Sequence, residues 1–340
     1  MSNTEPDPAE RTVCDGPPTG AAEPRADLLE PRDVPLGGPR AMRVRRTLPH
    51  RDLRMVGAWC FVDSYGPTDL GGGPGMQVPP HPHIGLQTVS WLLDGEILHQ
   101  DSLGNARLVR PGQLNLMTAG RGIAHSEQTP VEHSPVLHGV QLWIAQPERD
   151  RHGPAHFEQH ADLPVLTEDG GRITVINGEL GGATSPARAY TPLVGAEIAL
   201  RPGGRVRLPL RSDFEHAVLA LSDPVEVDGT RLTTGALLHL GDGRRDVLLT
   251  AESASRALLI GGTPFDEELV MWWNFVARTH EEVLEARRDW EAERTGGASD
   301  RFGSADRFGL VPGYDGAALP APEPPRARLR ARPRSRRLER

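Results

Sequence analysis

From about residue 41 to 165 the chain never holds an apolar pattern for long before a turn signal interrupts it. LQTVSWLL is followed by DGE, ILHQD by SLGN, ARLV by RPGQ, and then comes LNLMTA. Runs of four to eight residues bounded by Gly, Pro, Asn or Asp mark an all-β sandwich or barrel, because those residues supply the chain reversals between strands. The rhythm returns from 171 to 262 in RITVINGEL, AEIALRPGG, RVRLPL, HAVLALSD, PVEVDGT, ALLHLGDG, DVLLTAE and RALLIGG. The two stretches predict two copies of one β architecture, at low sequence identity to each other. With 38 glycines and 32 prolines among 340 residues, long helices are few, and the length suits two domains with separate cores.

One helix is expected, over 279–295. Thr279-His280-Glu281-Glu282 reads as a capping box, Val283, Leu284 and Trp290 supply an apolar face, and Gly296 ends it. Residues 1–40 are polar, acidic and rich in Pro and Ala, and are expected to be a disordered head. They lack the apolar stretch of a signal peptide, and no apolar run of 18 residues occurs, which predicts a cytoplasmic protein outside the membrane. Residues 297–340 form a Pro-, Gly- and Arg-rich tail with little to bury. Its last fifteen residues carry eight arginines against one glutamate, while the whole chain has a net charge of −8. A basic end on an acidic body can touch an acidic partner or remain solvated, but the acidic body argues against sequence-specific nucleic-acid binding.

Every basic residue is arginine; there is no lysine. That excludes a Walker A phosphate loop, a pyridoxal phosphate enzyme and an imine-forming aldolase, each of which needs a lysine amine. The run GGGPG at 71–75 is therefore a loop and not a phosphate cradle. The two cysteines, Cys14 and Cys60, form no C-x-x-C pair, and Cys60 reads as a small buried hydrophobe.

The chemistry sits in two short motifs. In His81-Pro82-His83 an extended backbone turns both imidazoles to one face, as it does for the pair in His125-Ser126-Glu127. Alone, the first motif fits a metal site or packed core histidines equally. Together the four give three nitrogens and one oxygen, a donor set suited to a divalent first-row ion with open positions. Other histidines lack this pattern. HFEQH places His156 and His160 four apart, without the glutamate of a helical zinc motif and in a segment that looks extended. His133 and His138 flank Pro135, one of them expected at a pocket mouth. His99 can face inward but has no partner at ligand spacing. In the second repeat Arg205 and Arg207 stand where a histidine pair would fall, and His216 and His239 are isolated, so no metal is expected there.

The runs HPHIGLQTVSWLLDGEILHQDSLGN (81–105), MTAGRGIAHSE (117–127), LHGVQLWI (137–144) and GGTPFDEELVMWWNFVARTHEE (261–282) resemble the pirin family of bicupins over roughly residues 40–320. The resemblance implies two cupin barrels, at 41–165 and 171–295, with one metal ion, usually Fe2+, in the first. The family's ligands fall on His81, His83, His125 and Glu127; other divalent first-row metals can compete. One departure is Gln87, where the general cupin pattern has glutamate. The resemblance also implies quercetin (flavonol) 2,3-dioxygenase activity, with a flavonol and dioxygen as substrates and Glu127 as ligand and proton acceptor. The alternative it implies is an iron-dependent redox regulator that binds a protein partner. Met117, Trp91 and Trp143 are expected as core or pocket walls.

Overall fold

A computed structural model describes residues 26–36, 42–71, 73, 75–296, 306–324 and 326–335. The strands form two units of the cupin type, each a large sheet packed on a four-stranded one, with every pairing antiparallel. In the first unit a seven-stranded sheet runs His156–His160, Leu114–Thr118, Leu86–Asp94, Val136–Ala145, Trp59–Asp69, Met42–Leu48 and Arg32–Leu36 in spatial order. Its companion runs Gln77–His83, Ile123–Gln128, Ile97–Asp101 and Ala106–Val109. In the second unit Asp27–Leu29, Leu237–Gly241, Glu215–Ser222, Ser255–Gly262, Leu193–Leu200, Gly171–Leu180 and Val165–Glu168 make the large sheet. Arg205–Pro209, Asp246–Thr250, Val225–Val227 and Thr230–Leu232 make the small one.

Alternation explains how one strand serves two cores. Along Glu215–Ser222, Val218 and Ala220 point into the second barrel with Ile173, Val206 and Leu249. Ala217, Leu219 and Leu221 point the other way and join Trp59, Leu193 and Leu258 in the layer shared by the two barrels. Cys60 lies in that layer, and burial pushes its thiol up to about 12, which leaves no thiolate for catalysis.

The ends of the chain differ from the sequence expectation. Residues 26–36, expected in the disordered head, contribute two edge strands. Asp27–Leu29 pairs with Leu237–Gly241 of the second barrel, and Arg32–Leu36 pairs with Met42–Leu48 of the first. Prolines at 31 and 35 mask them in the sequence, and an edge strand is where a sheet tolerates proline. Residues 1–25 of that head, with Cys14, lie outside the described residues. The division between the barrels falls between His160 and Val165, because Val165–Glu168 already belongs to the second sheet.

The helix, His280–Arg294, follows the second barrel in sequence but packs on the first. Val283, Ala286 and Trp290 meet Ile84, Ala124 and Phe275 on the outer face of the small sheet. Its cap is half of the expected box. Thr279 Oγ1 accepts from Glu282 N at 3.2 Å, but the Glu282 carboxylate accepts from Arg278 N and pairs with Arg151.

The tail is a correction of the same kind. Residues 306–324 lie across the same outer face: Phe308 O accepts from Ala124 N at 3.1 Å, Leu319 N donates to Pro80 O at 2.8 Å, and Gln100 Nε2 donates to Pro312 O at 3.2 Å. The buried Glu293 carboxylate accepts from the backbone N–H of Arg307, Phe308 and Gly309 at 2.7, 2.9 and 3.1 Å. Two of the arginines expected to be solvated or to seek a partner bind the chain's own acids: Arg328 holds Glu281, and Arg334 holds Glu215 and Asp266. Residues 297–305 and 336–340 of the tail lie outside the described residues.

Glu293→Ala leaves one buried and two part-buried backbone donors without an acceptor, a cost on the order of 2 kcal/mol. Urea unfolding is expected to show that loss, with a red shift of the fluorescence from the buried Trp290, whose indole donates to Leu319 O at 2.8 Å.

Candidate metal centre

Three adjacent strands of the small sheet build the site. Ile123–Gln128 lies between Gln77–His83 and Ile97–Asp101, and the register sets His125 opposite His81 on one side and Asp101 on the other. Glu127 stands opposite His99, and a bulge between His125 and Glu127 shifts the pairing toward Val78. The two-residue spacing of each motif then turns His81, His83, His125, Glu127, His99 and Asp101 to the barrel interior. All six are buried, with His81 and His83 at 0% exposure.

Donor nitrogens of His81, His83 and His125 lie within 4.8 Å of one another, and those of His99 and His125 form a second such group with a Glu127 oxygen. The four expected residues are thus gathered around His125, with Glu127 beside His125 and not within reach of all three rings. Hydrogen bonds fix which nitrogens carry lone pairs. His81 Nδ1 donates to Pro79 O at 2.9 Å and His83 Nδ1 to Asn274 O at 3.0 Å, since a carbonyl can only accept. Both Nε2 atoms therefore face inward unprotonated. His81 Nε2 is buried without a partner, and His83 Nε2 stands 3.0 Å from His125 Nε2.

This arrangement fits a cation. Two nitrogens 3.0 Å apart match neighbouring ligands of an octahedral ion at bonds of about 2.1 Å, and the orphaned His81 Nε2 supplies a third donor. Burial pushes the pKa of His81 down to about 3 and those of His83 and His125 well below the usual imidazole range, so all three rings remain neutral donors. Burial raises Glu127, against the hydrogen bond from Ser90. The Ser90 hydroxyl is directed at both Glu127 Oε1 (3.1 Å) and Gln141 Oε1 (2.8 Å).

Around the donors, Trp143 stands edge-on to His83 with centroids 5.2 Å apart and stacks on Phe61 at 4.1 Å. Phe61 in turn lies under Arg46, which pairs with the buried Asp63 at 2.8 Å. Met117 and Trp91 are buried as expected of wall or core residues. Tyr65 Oη is buried without a partner, and desolvation together with the nearby Glu127 raises its pKa well above the usual phenol value.

Several sequence expectations are corrected. Gln87, three residues before Ser90 and so on the opposite face, donates to Thr118 Oγ1 and Arg188 O, away from the metal donors. Its place in the cupin pattern therefore does not bear on the ligand sphere. Of the two histidines flanking Pro135, His138 turns to the second barrel, where its Nε2 bonds Leu221 O at 3.1 Å. As the extended reading expects, His156 and His160 lie on a strand, where they share the Glu158 carboxylate. His99 does have a partner, Asp101, at the same two-residue spacing as the two recognised motifs. That spacing, His-x-Asp on a short strand, is the signal by which the sequence marks a third inward-facing pair.

Two family models match the chain: Pirin over residues 41–144, and Pirin C-terminal cupin domain over 195–296. A Pseudomonas aeruginosa protein named provisionally as a quercetin 2,3-dioxygenase is 43% identical over 286 residues, covering 79% of this chain and 90% of its own. Pirin of Homo sapiens is 30% identical over 262 residues, covering 75% of this chain and 88% of its own. The crystal structure of a quercetin 2,3-dioxygenase from Acinetobacter baumannii is similar at a TM-score of 0.83 and 40% identity, over 90% of this chain and 97% of that one.

Three imidazoles held neutral make the metal-free fold sensitive to acid. The unfolded chain takes up protons at histidine below about pH 6.5, while the folded rings resist to far lower pH. Their contribution is therefore complete above that value and is lost as pH falls through it. Glu127 acts in the opposite sense, since its raised pKa favours the fold at low pH. The histidines outnumber it, and each contributes a slope of about 1.4 kcal/mol per pH unit. Urea midpoints of metal-free protein are expected to fall between pH 6.5 and 5, and replacing all three histidines by asparagine should flatten that slope.

Proposed function

The chain belongs to the pirin family, and from that membership we propose that it is a mononuclear Fe(II) dioxygenase of the quercetin 2,3-dioxygenase type. The observation that carries the reading is the convergence of three neutral imidazoles and one carboxylate inside the first barrel. The 43% identity to a relative named for that activity supports it. His81, His83, His125 and Glu127 would hold the ion. When bound, the metal supplies Lewis acidity for a flavonol hydroxyl and a redox partner for dioxygen.

The protein's own part is to bind, orient and move a proton. Glu127 is the only carboxylate in the donor set, which makes it the group placed to accept a proton from a substrate hydroxyl. The Ser90 hydroxyl, 3.1 Å from Oε1, helps to set where a substrate hydroxyl must lie to give up its proton. Trp143 and Phe61, stacked on one another beside His83, form an apolar wall of the site. The net reaction takes up one dioxygen, opens the central ring of the flavonol and releases carbon monoxide.

One observation favours a second reading. The donors are buried to 3% exposure or less, which suits a closed metal that signals its redox state to a protein partner through the surrounding structure.

Anaerobic loading with Fe(II), followed by quercetin and air, separates the two. The dioxygenase reading expects oxygen uptake and loss of flavonol absorbance in step, with both abolished in His83→Ala. Glu127→Gln should retain iron more weakly and lose on the order of 100-fold or more in turnover. Tight iron binding with no turnover would leave the regulator as the better reading.

A further inference from the structure

The hydrogen-bond chain behind His125 has a direction that its chemistry fixes. Asp101 lies at the end of the strand Ile97–Asp101, where its carboxylate is surrounded by donors. Leu103 N and Asn105 N reach Oδ1 at 2.9 and 3.1 Å, and Asn105 Nδ2 reaches Oδ2 at 2.9 Å. His99 Nε2 is 3.2 Å from Asp101 Oδ2, and the pair is buried, at 3% and 0% side-chain exposure. A carboxylate in such a cradle only accepts, so His99 carries its proton on Nε2. In the neutral ring Nδ1 is then a lone pair. The atom facing it is His125 Nδ1, at 3.4 Å. His125 must therefore be the donor there, which leaves its Nε2 unprotonated and turned to His83 and His81. Phe157 stacks on His99 with centroids 4.6 Å and planes 17° apart, so the ring cannot turn away.

We propose that His99, locked by Asp101 and Phe157, is a positioning residue that holds His125 in the tautomer and orientation needed to bind the metal through Nε2. This rests on the reading of His125 as a ligand. The three rings are then oriented by three different parts of the chain. Pro79 O holds His81 from its own strand, Asn274 O holds His83 from the segment before the helix, and the Asp101–His99 pair holds His125 from the neighbouring strand. Partners of this kind usually matter 10- to 100-fold in metal affinity.

Two variants of the full-length chain separate positioning from bulk. His99→Phe keeps a flat ring against Phe157 and removes the acceptor, while His99→Asn places an amide oxygen near the position of Nδ1. With Cu(II) as the probe, chelator competition reads affinity, and pulsed electron paramagnetic resonance reads the remote nitrogen of each bound imidazole. His99→Phe is expected to lose about 10- to 100-fold in affinity and to shift the remote-nitrogen frequencies of one imidazole; His99→Asn should restore both toward wild type. Unchanged affinity and frequencies in His99→Phe would overturn the proposal. A wild-type protein whose copper shows no imidazole, or a His125→Ala variant that keeps every imidazole signal, would instead overturn the ligand assignment beneath it.

Nitrogen-correlated spectra of the Zn(II)-loaded wild type give the same answer without a variant that must fold. His125 should appear with Nδ1–H and a metal-shifted Nε2, and His99 with Nε2–H and a free Nδ1. A metal-shifted His99 Nδ1 would make His99 a ligand and refute the positioning role.

Discussion

Three imidazole lone pairs directed at one point of a buried interior set the terms for the rest of this structure. Each ring is kept neutral by burial, and each is turned by a hydrogen bond at its far nitrogen. With His83 Nε2 and His125 Nε2 facing each other at 3.0 Å and His81 Nε2 unpartnered, the interior is unfavourable by itself and becomes favourable when a cation meets the donors. The barrel must therefore be rigid before the ion arrives. That rigidity comes from antiparallel register, which places His81, His125 and Asp101 in one cross-strand row.

The outer face of the same sheet explains the long C-terminal excursion. A four-stranded sheet lined inside by polar donors has little apolar area of its own to hold it flat. The segment from Asn274 through the helix His280–Arg294, together with residues 306–324, supplies that area from outside, with Phe275, Trp290 and Phe308 against Ile84 and Ala124. The same segment reaches through to the site, because Asn274 O fixes the His83 ring. Loosening the C-terminal segment should thus reach the metal through one hydrogen bond. The arginines of the tail keep it closed: Arg334 joins Glu215 of the second barrel, and Arg328 joins the helix at Glu281.

What is legible in the sequence follows from which interactions are local. Strand alternation has a period of two, so spacing alone puts His81 with His83 and His125 with Glu127 on one face. Turn residues likewise mark the strands of both barrels. The edge strands Asp27–Leu29 and Arg32–Leu36 and the strap at 306–324 are hidden, because their order comes from contacts with residues far away in the chain and not from their own composition. Proline and arginine read as disorder in isolation; here Glu293, Glu281 and Glu215 give those residues partners. The same limit applies to Gln87 and His99. The cupin pattern assigns Gln87 a place near the metal that its Thr118 and Arg188 contacts deny it, and it carries no sign that Asp101 makes His99 a fixed acceptor.

The second barrel supports the first by close contact between backbones. Trp59 begins a strand of the metal-bearing barrel, and its indole N–H is shared between Val194 O and Gly261 O of the other, each at 3.1 Å. That approach leaves no room for side chains. A Cβ on Gly195 would sit 2.9 Å from the Trp59 ring, and one on Gly57, whose φ is +54°, would meet the Gly262 backbone at 2.8 Å. The glycines here serve to bring two sheets into contact. Trp59 stands two residues before Phe61, which stacks on Trp143, which in turn abuts His83. The second barrel thus braces the layer on which the metal-facing aromatics stand, which gives the second copy of the architecture a structural role.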